Sequence, residues 1–412
     1  MVTATVAARM SDMVFIGMLR LLGNRTAWTA VRFQMRRKCD PLRREPADGE
    51  GAGGVAARQG SRFRERKARN CNGPDTGRPR ATQIRDQGRS EMRIAVGAIT
   101  RRRPGMFAEL LDSFVTMERP AGAQITFLFA ENDAETTIQA ELDAFRARVP
   151  EEVRFALEPR PGIPAARNTA LDMALEGGFD YLTFVDDDET VRPDWLVTLM
   201  AGMEAHCCDL AGGPVALVEP DEQLSALNRA VFELQARRMK RRDRERRGFM
   251  EQGVSNPYNI YTNNWCVRLD FVREHGVRFD ESLRVTGGSD SRFSLDLEAK
   301  GGRRCWVSDA VVEEPTPKKR LTLRYVYARA RDQSSNSVRF KKQGLARVAG
   351  KAFARLFEAF LNLIAAPFTR GRSLAKVAYK SGVAAGLILG ALGHRSRHYD
   401  SHADRYHTEV DR

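Results

Sequence analysis

One run in the chain leaves few choices for its fold: Tyr181–Glu189, Y-L-T-F-V-D-D-D-E, in which a β-prone, mostly apolar stretch leads straight into four carboxylates. The apolar part has the length and side-chain types of a buried strand. Asp186, Asp187, Asp188 and Glu189 are therefore expected at its carboxyl end, where open α/β sheets bind ligands. Adjacent like charges repel unless something positive holds them together. Strand alternation places Asp186 and Asp188 on one side, two oxygen donors suited to a hard cation such as Mg²⁺ or Mn²⁺, which would bridge to phosphate. Taken alone, such a run also reads as a solvated acidic turn.

The surrounding pattern favours the strand. Ile94–Thr100, Ile125–Ala130 and Val153–Leu157 read as strands. Met106–Met117 carries Phe107, Leu110, Leu111 and Phe114 at helical spacing, Ala165–Glu176 reads as a helix after the Pro161-Gly162 and Pro164 loop, and Pro193-Asp194-Trp195-Leu196 opens another. Strands alternating with helices predict a mainly parallel sheet with crossover helices. Several strands end in polar or acidic residues along one edge, which marks a nucleotide site there.

Charge divides the chain. Residues 1–91 hold 19 Lys+Arg against 9 Asp+Glu, net +10, so the formal +14 leaves only +4 for the remaining residues. That basic, Gly- and Arg-rich segment shows no sustained period and reads as disordered. It is either a basic tail or an upstream extension of the reading frame outside the working protein. The abrupt start of ordered pattern at Met92 favours the second. The interrupted apolar run Met13–Leu22 lacks a small-residue cleavage site and does not read as a signal peptide.

Several of these motifs, taken in order, resemble glycosyltransferase family 2 with the GT-A fold: Ile94–Thr100, Glu131-Asn132-Asp133, Ala165–Asn168, Phe184–Glu189, Pro193–Leu196, then Thr262-Asn263-Asn264, Phe279-Asp280-Glu281 and Gly287-Gly288-Ser289-Asp290. The resemblance spans about residues 92–335 and is nearest to bacterial enzymes of exopolysaccharide synthesis, of the succinoglycan type. It implies an α/β fold, a mainly parallel central sheet flanked by helices, with a nucleotide-sugar half (92–215), an acceptor half (216–335) and a helical C-terminal extension (336–412). It also implies a site. Thr100, Arg103, Glu131, Asp133, Arg167, Asp186 and Asp187 would contact the nucleotide, Asp188 with Asp186 would hold Mg²⁺ or Mn²⁺, and Asp290 would be the general base of an inverting transfer. The family usually has Asp at Glu131 and Glu at Ser289, so two positions depart from its pattern. As an alternative, Asp290 could cap a helix starting at Ser291. No Q-x-x-R-W signature of processive synthases occurs; Arg329–Gln333 stands near its place, and addition of a single sugar is expected. The implied partners are a nucleoside-diphosphate sugar, with a UDP-hexose the expected donor, and a lipid-linked or polysaccharide acceptor in cell-surface polysaccharide synthesis. A metal-dependent nucleotidyltransferase is the competing enzyme class, with Arg101–Gly105 a faint version of its phosphate loop.

Arg237–Arg247 contains eight basic residues in eleven. It reads as a solvated helix face or as a surface for anionic lipid or a diphosphate-linked acceptor; without interleaved aromatics, nucleic acid is not expected. Phe353, Leu356, Phe357, Phe360, Leu361 and Ile364 form a helical apolar stripe, fit either for a membrane interface or for packing on the catalytic domain. Ser381–Leu392 would span about 18 Å as a helix, too short to cross a hydrocarbon core of roughly 30 Å. These features predict a peripheral enzyme on the cytoplasmic face of the inner membrane. The six cysteines lack metal spacing and are expected as reduced thiols, with Cys207 and Cys208 as buried small hydrophobes. His394, His398, His402 and His407 read as a solvated tail.

Overall fold

The computed structural model describes residues 91–284, 287–341 and 344–393. The readings of residues 1–90 and of the C-terminal histidines lie outside the described residues. In chain order the elements are β1 (Met92–Thr100), α1 (Pro104–Thr116), β2 (Ala123–Glu131), α2 (Gln139–Arg146), β3 (Glu152–Leu157), α3 (Ile163–Glu176), β4 (Tyr181–Asp186), β5 (Thr190–Val191), α4 (Trp195–His206), β6 (Leu210–Gly212) and β7 (Val215–Val218). The second half adds α5 (Ala226–Glu251), β8 (Asn264–Arg268), α6 (Leu269–His275), α7 (Ser289–Ala299), β9 (Arg304–Trp306), β10 (Val312–Pro315), α8 (Leu323–Lys341), α9 (Leu345–Ile364) and α10 (Leu374–Ala391).

Seven strands form one sheet in the order β3-β2-β1-β4-β8-β6-β9. All neighbours are parallel except β8, which runs antiparallel to both β4 and β6. The expected mainly parallel sheet flanked by helices is therefore what forms, with a helical C-terminal region. Each face is covered by a separate apolar cluster. One gathers Phe107, Phe114, Phe127, Phe129, Phe145 and Trp195; the other gathers Leu171, Phe184, Trp265, Phe271, Phe279 and Phe293. A strand buried on both faces reads as a continuous hydrophobic run, which is why β1, β2 and β4 were legible.

Register fixes where the site falls. Thr100 pairs with Glu131 across β1 and β2, and Ile99 pairs with Asp186 across β1 and β4, so three carboxyl ends finish level. From β1 the chain winds outward to β2 and β3, then returns to place β4 on the other side of β1. The crevice at that reversal is where open sheets of this kind bind ligands. A smaller sheet, β5-β10-β7, lies beyond the acidic turn and brings residues around Glu314 toward it.

Two expectations need correction here. Cys208 and Cys305, 97 residues apart, are bonded in a disulfide, so the thiols are not all reduced; both sulfurs sit in the apolar core beneath α4. The C-terminal apolar helix is longer than Ser381–Leu392: α10 begins at Leu374 and its 18 residues make it the one described helix long and apolar enough to cross a membrane. It is nonetheless packed, because Gly382, Gly386 and Gly390 bring it against the carbonyls of Tyr327, Arg331 and Ser335 on α8. The segment boundary placed at 335/336 falls inside the continuous helix α8.

Candidate active site

The strand β4 ends at Asp186, and the chain turns at once, with the Glu189 amide donating to the Asp186 carbonyl at 3.2 Å. Strand alternation thus does not continue through Asp188, contrary to the geometric argument from sequence. Each of the four acids instead has its own partner. Asp187 turns inward and is buried: Thr100 Oγ1 donates to it at 2.7 Å and an Arg103 guanidinium nitrogen at 3.2 Å. This ties the end of β1 to the turn. Glu189 is buried too, accepting from the Asn263 amide at 3.1 Å and from the Asp186 backbone N–H at 3.2 Å.

Asp186 and Asp188 remain at the cleft. Arg167, from α3, lies 3.7 Å from Asp186 and donates to Ser289 Oγ at 3.2 Å. Its guanidinium also sits over the Phe279 ring, 5.8 Å from the centroid. Asn168 next to it holds the Phe279 backbone through both its amide nitrogen and oxygen, at 3.0 Å each, which fixes the acceptor half against α3. Asp188 is held by Arg320 at 3.1 Å, and the same guanidinium reaches Glu314 at 3.1 Å. Arg320, Glu314 and the neighbouring Arg329 were not anticipated from sequence. The only signal was indirect, since a run of acids needs cations from somewhere.

The electrostatics follow from crowding. Its recessed position, with Asp188, Asp187 and Asp290 facing it, pushes the Asp186 carboxyl up to about 7 despite Arg167. Burial likewise raises Asp187 against the pull of Arg103, and raises Glu189 well above the carboxylate range, helped by Asp186, Glu314 and Asp188. Burial also raises Glu314, opposed mainly by Arg329. Carboxyls crowded in this way favour their neutral forms unless positive charge offsets them, and Arg167, Arg103, Arg320 and Arg329 supply part of that offset.

Asp290 stands in the first turn of α7. The cap is Gly288, at φ 89°, and Asp290 is not the capping residue; its carboxylate accepts from the Ser291 amide at 2.6 Å. The hydroxyl of Ser289, the residue before Asp290, accepts from Arg167, which also pairs with Asp186 of the acidic turn. Glu131 is fully buried and accepts from the Thr137 amide at 2.9 Å and from the Thr137 hydroxyl. It thereby shapes the loop after β2. Asp133 accepts from Arg102 at 3.1 Å, and this bond holds its carboxyl below the usual range. Asn132 pins the 158–162 loop, donating to the carbonyls of Glu158 and Arg160 and accepting from the Gly162 amide at 2.8 Å. The structure thus links Asp186 through Arg167 to Ser289, and ties Asp187 to Thr100 and Arg103; Glu131, whose strand end is level with Thr100, and Asp133 are instead engaged with Thr137 and Arg102.

Among the described residues, no group of three or more His, Cys, Asp or Glu side chains could hold a metal by itself. Asp186 and Asp188 do suit a cation that takes one or two carboxylates and completes its shell with phosphate oxygens and water. The basic run on α5 is not simply a solvated face. Arg246 is buried over the Trp306 ring at 4.0 Å, Arg238 lies 3.7 Å above the Tyr379 ring, and Arg237, Arg241 and Arg247 pair with Glu233, Glu245 and Asp309.

A parallel-sheet domain whose strand ends converge on such an acidic cleft is the kind of fold that handles nucleotides, and residues 98–267 match the family model of glycosyl transferase family 2. That match, together with the relative that follows, supports a glycosyltransferase. The chain is 29% identical over 306 residues to the succinoglycan biosynthesis protein ExoM of Rhizobium meliloti (strain 1021), covering 73% of this chain and 94% of that relative. Solved structures similar to it include the mannosyltransferase PcManGT of Pyrobaculum calidifontis in complex with GDP-Man and Mn²⁺, at TM-score 0.44 and 15% identity, covering 78% of this chain and 81% of that one. S. aureus TarS residues 1–349 in complex with UDP-GlcNAc align at TM-score 0.40 and 12% identity, covering 74% and 93%.

Proposed function

We propose that the protein is an inverting glycosyltransferase that moves one sugar from a nucleoside-diphosphate sugar to a hydroxyl of a lipid-linked or polysaccharide acceptor in cell-surface polysaccharide synthesis. What supports this reading is the link Arg167 makes between the acidic turn and the acceptor half: it pairs with Asp186 at 3.7 Å and donates at 3.2 Å to the hydroxyl of Ser289, the residue before Asp290. The kinship with an exopolysaccharide protein supports the substrate class.

In this reading the acceptor hydroxyl enters beside Asp290, which takes its proton as the oxygen attacks the anomeric carbon. The bond from that carbon to the diphosphate oxygen breaks on the opposite face, so configuration inverts. Negative charge grows on the leaving diphosphate, and in this reading Arg167 receives it with little reorganisation, since Ser289 and the Phe279 ring orient its guanidinium. Asp186 and Asp188 would hold Mg²⁺ or Mn²⁺, which when bound supplies further neutralisation of the diphosphate. Asp187, Thr100 and Arg103 keep the turn that presents these two acids rigid.

The test has two stages. Release of nucleoside diphosphate is screened across UDP- and GDP-sugars with Mn²⁺, and the active donor is then used with Asp290→Asn. Turnover should fall by about 10²–10⁴, the usual cost of a lost general base, while donor affinity and melting temperature stay near those of the unaltered protein. Near-normal transfer by that variant would remove Asp290 from the role.

A further inference from the structure

Helix α9 packs with its small residues and leaves its large ones bare. Val348, Ala352 and Ala359 are buried, the first two clustering with Val338 and Leu387 of α8 and α10. On an adjoining face Phe353 is 73% exposed, Phe357 54%, Phe360 57% and Ile364 53%, and Phe368 in the following turn is 86% exposed. The apolar stripe is thus not internal packing, which settles one alternative left by the sequence. A contiguous face of aromatic rings on a water-facing helix marks an interaction surface.

Charge identifies the occupant. Residues 345–393 contain seven Lys and Arg, at 347, 351, 355, 370, 372, 376 and 380, and one acid, Glu358. Lys380 and Arg355 both pair with that acid. Arg347, Lys351, Arg370, Arg372 and Lys376 are exposed, and two of them flank the exposed Phe368 turn. A bare aromatic face set among cations, with the lone acid neutralised, complements a surface that is apolar below and anionic above. An apolar protein partner would not select for this charge excess. Nor does α10 supply the contact by spanning, since its glycine face is committed to α8.

We propose that the exposed face of α9, with the Phe368 turn, docks on an anionic lipid bilayer, lying in the headgroup plane as a peripheral anchor. This deepens the reading of a lipid-linked acceptor in the preceding section. Because α10 bridges α8 and α9, and Arg329 of α8 neighbours Glu314 at the cleft, the anchor is mechanically continuous with the site. Docking would hold the cleft at a fixed height over the membrane.

Flotation with vesicles of phosphatidylcholine, with and without phosphatidylglycerol, tests this on the full chain. The protein should float with the anionic vesicles, weakly with the neutral ones, and less as salt rises. Removing two rings in Phe357→Ser/Phe360→Ser should cut partitioning by at least roughly tenfold, and Arg370→Gln/Arg372→Gln should weaken anionic binding only. Failure to bind anionic vesicles, or equal binding by the ring variant, overturns the proposal. So does sedimentation showing that the face instead forms a dimer that the ring variant dissolves. Nucleoside-diphosphate binding with Mn²⁺, measured without vesicles, should be unchanged in both variants. Vesicle binding without any nucleotide binding would leave the anchor standing and sink the donor reading.

Discussion

Arg320→Met removes the cation shared by Asp188 and Glu314 and keeps most of the side chain's bulk. The two ion pairs are 3.1 Å each, and the side chains of Arg320, Asp188 and Glu314 are 16%, 20% and 14% exposed. Breaking a buried pair by deleting one partner costs about 3–5 kcal/mol. Opening of the site toward the cleft and the proximity of Arg329 to Glu314 argue for the lower end, about 3 kcal/mol, which for a domain of this size lowers the melting temperature by roughly 6–12 °C. The sign with pH is definite. The Glu314 carboxyl is already raised in the folded state, and losing Arg320 raises it further. A carboxyl raised on folding binds protons more tightly in the native state, so the deficit should grow as pH rises from the ordinary carboxylate range and shrink as Glu314 takes up a proton. The variant should also bind Mn²⁺ more tightly, since a competing cation has gone, and Mn²⁺ should recover part of the lost stability. Calorimetric melting at several pH values, with and without Mn²⁺, provides the assay. An unchanged melting temperature, or a deficit indifferent to both pH and metal, would refute the shared-cation argument.

Without metal, the unaltered protein should itself melt lower as pH rises from about 5 to about 8, because Asp186 is raised to about 7 and Asp187, Glu189 and Glu314 are shifted the same way. A flat or rising profile across that window would contradict the crowding of charge. Asn264→Leu should cost about 2–3 kcal/mol in denaturant unfolding, since it strands Trp195 Nε1, 2.9 Å from Asn264 Oδ1, and removes the 2.8 Å bond to the Ala310 carbonyl, while the Pro214 carbonyl keeps its bond from the Val312 N–H. Gly386→Leu would put a Cβ 2.1 Å from the Arg331 carbonyl. It should pry α10 from α8 and lower stability by about 1–3 kcal/mol or more; tolerance of leucine there would mean the helices are not in close contact.

The sheet and its acidic edge were legible because β1, β2 and β4 are buried on both faces, and such strands announce themselves as unbroken apolar runs ending in polar residues. What sequence could not show was partnership across distance. Arg320 lies 132 residues from Asp188, and nothing local in Pro317-Lys318-Lys319-Arg320 distinguishes a site arginine from a solvated one. The turn after Asp186 was missed for a different reason: four acids carry no signal of where a strand stops, so alternation was extended too far. Asp290 looked like a cap because aspartate caps well, whereas the left-handed Gly288 has that position. On α9, periodicity revealed an apolar face without telling what covers it. The helix packs through Val348, Ala352 and Ala359, and their small size hid them beside a row of phenylalanines.

The central claim is that the acidic turn collects a divalent cation together with a nucleoside diphosphate, and calorimetric titration of UDP and GDP with and without Mn²⁺ tests it most directly. The account predicts binding of one of them that depends on Mn²⁺ and is lost in Asp188→Asn, while that variant melts cooperatively. Binding of equal strength without metal, or binding unaffected by Asp188→Asn, would contradict it.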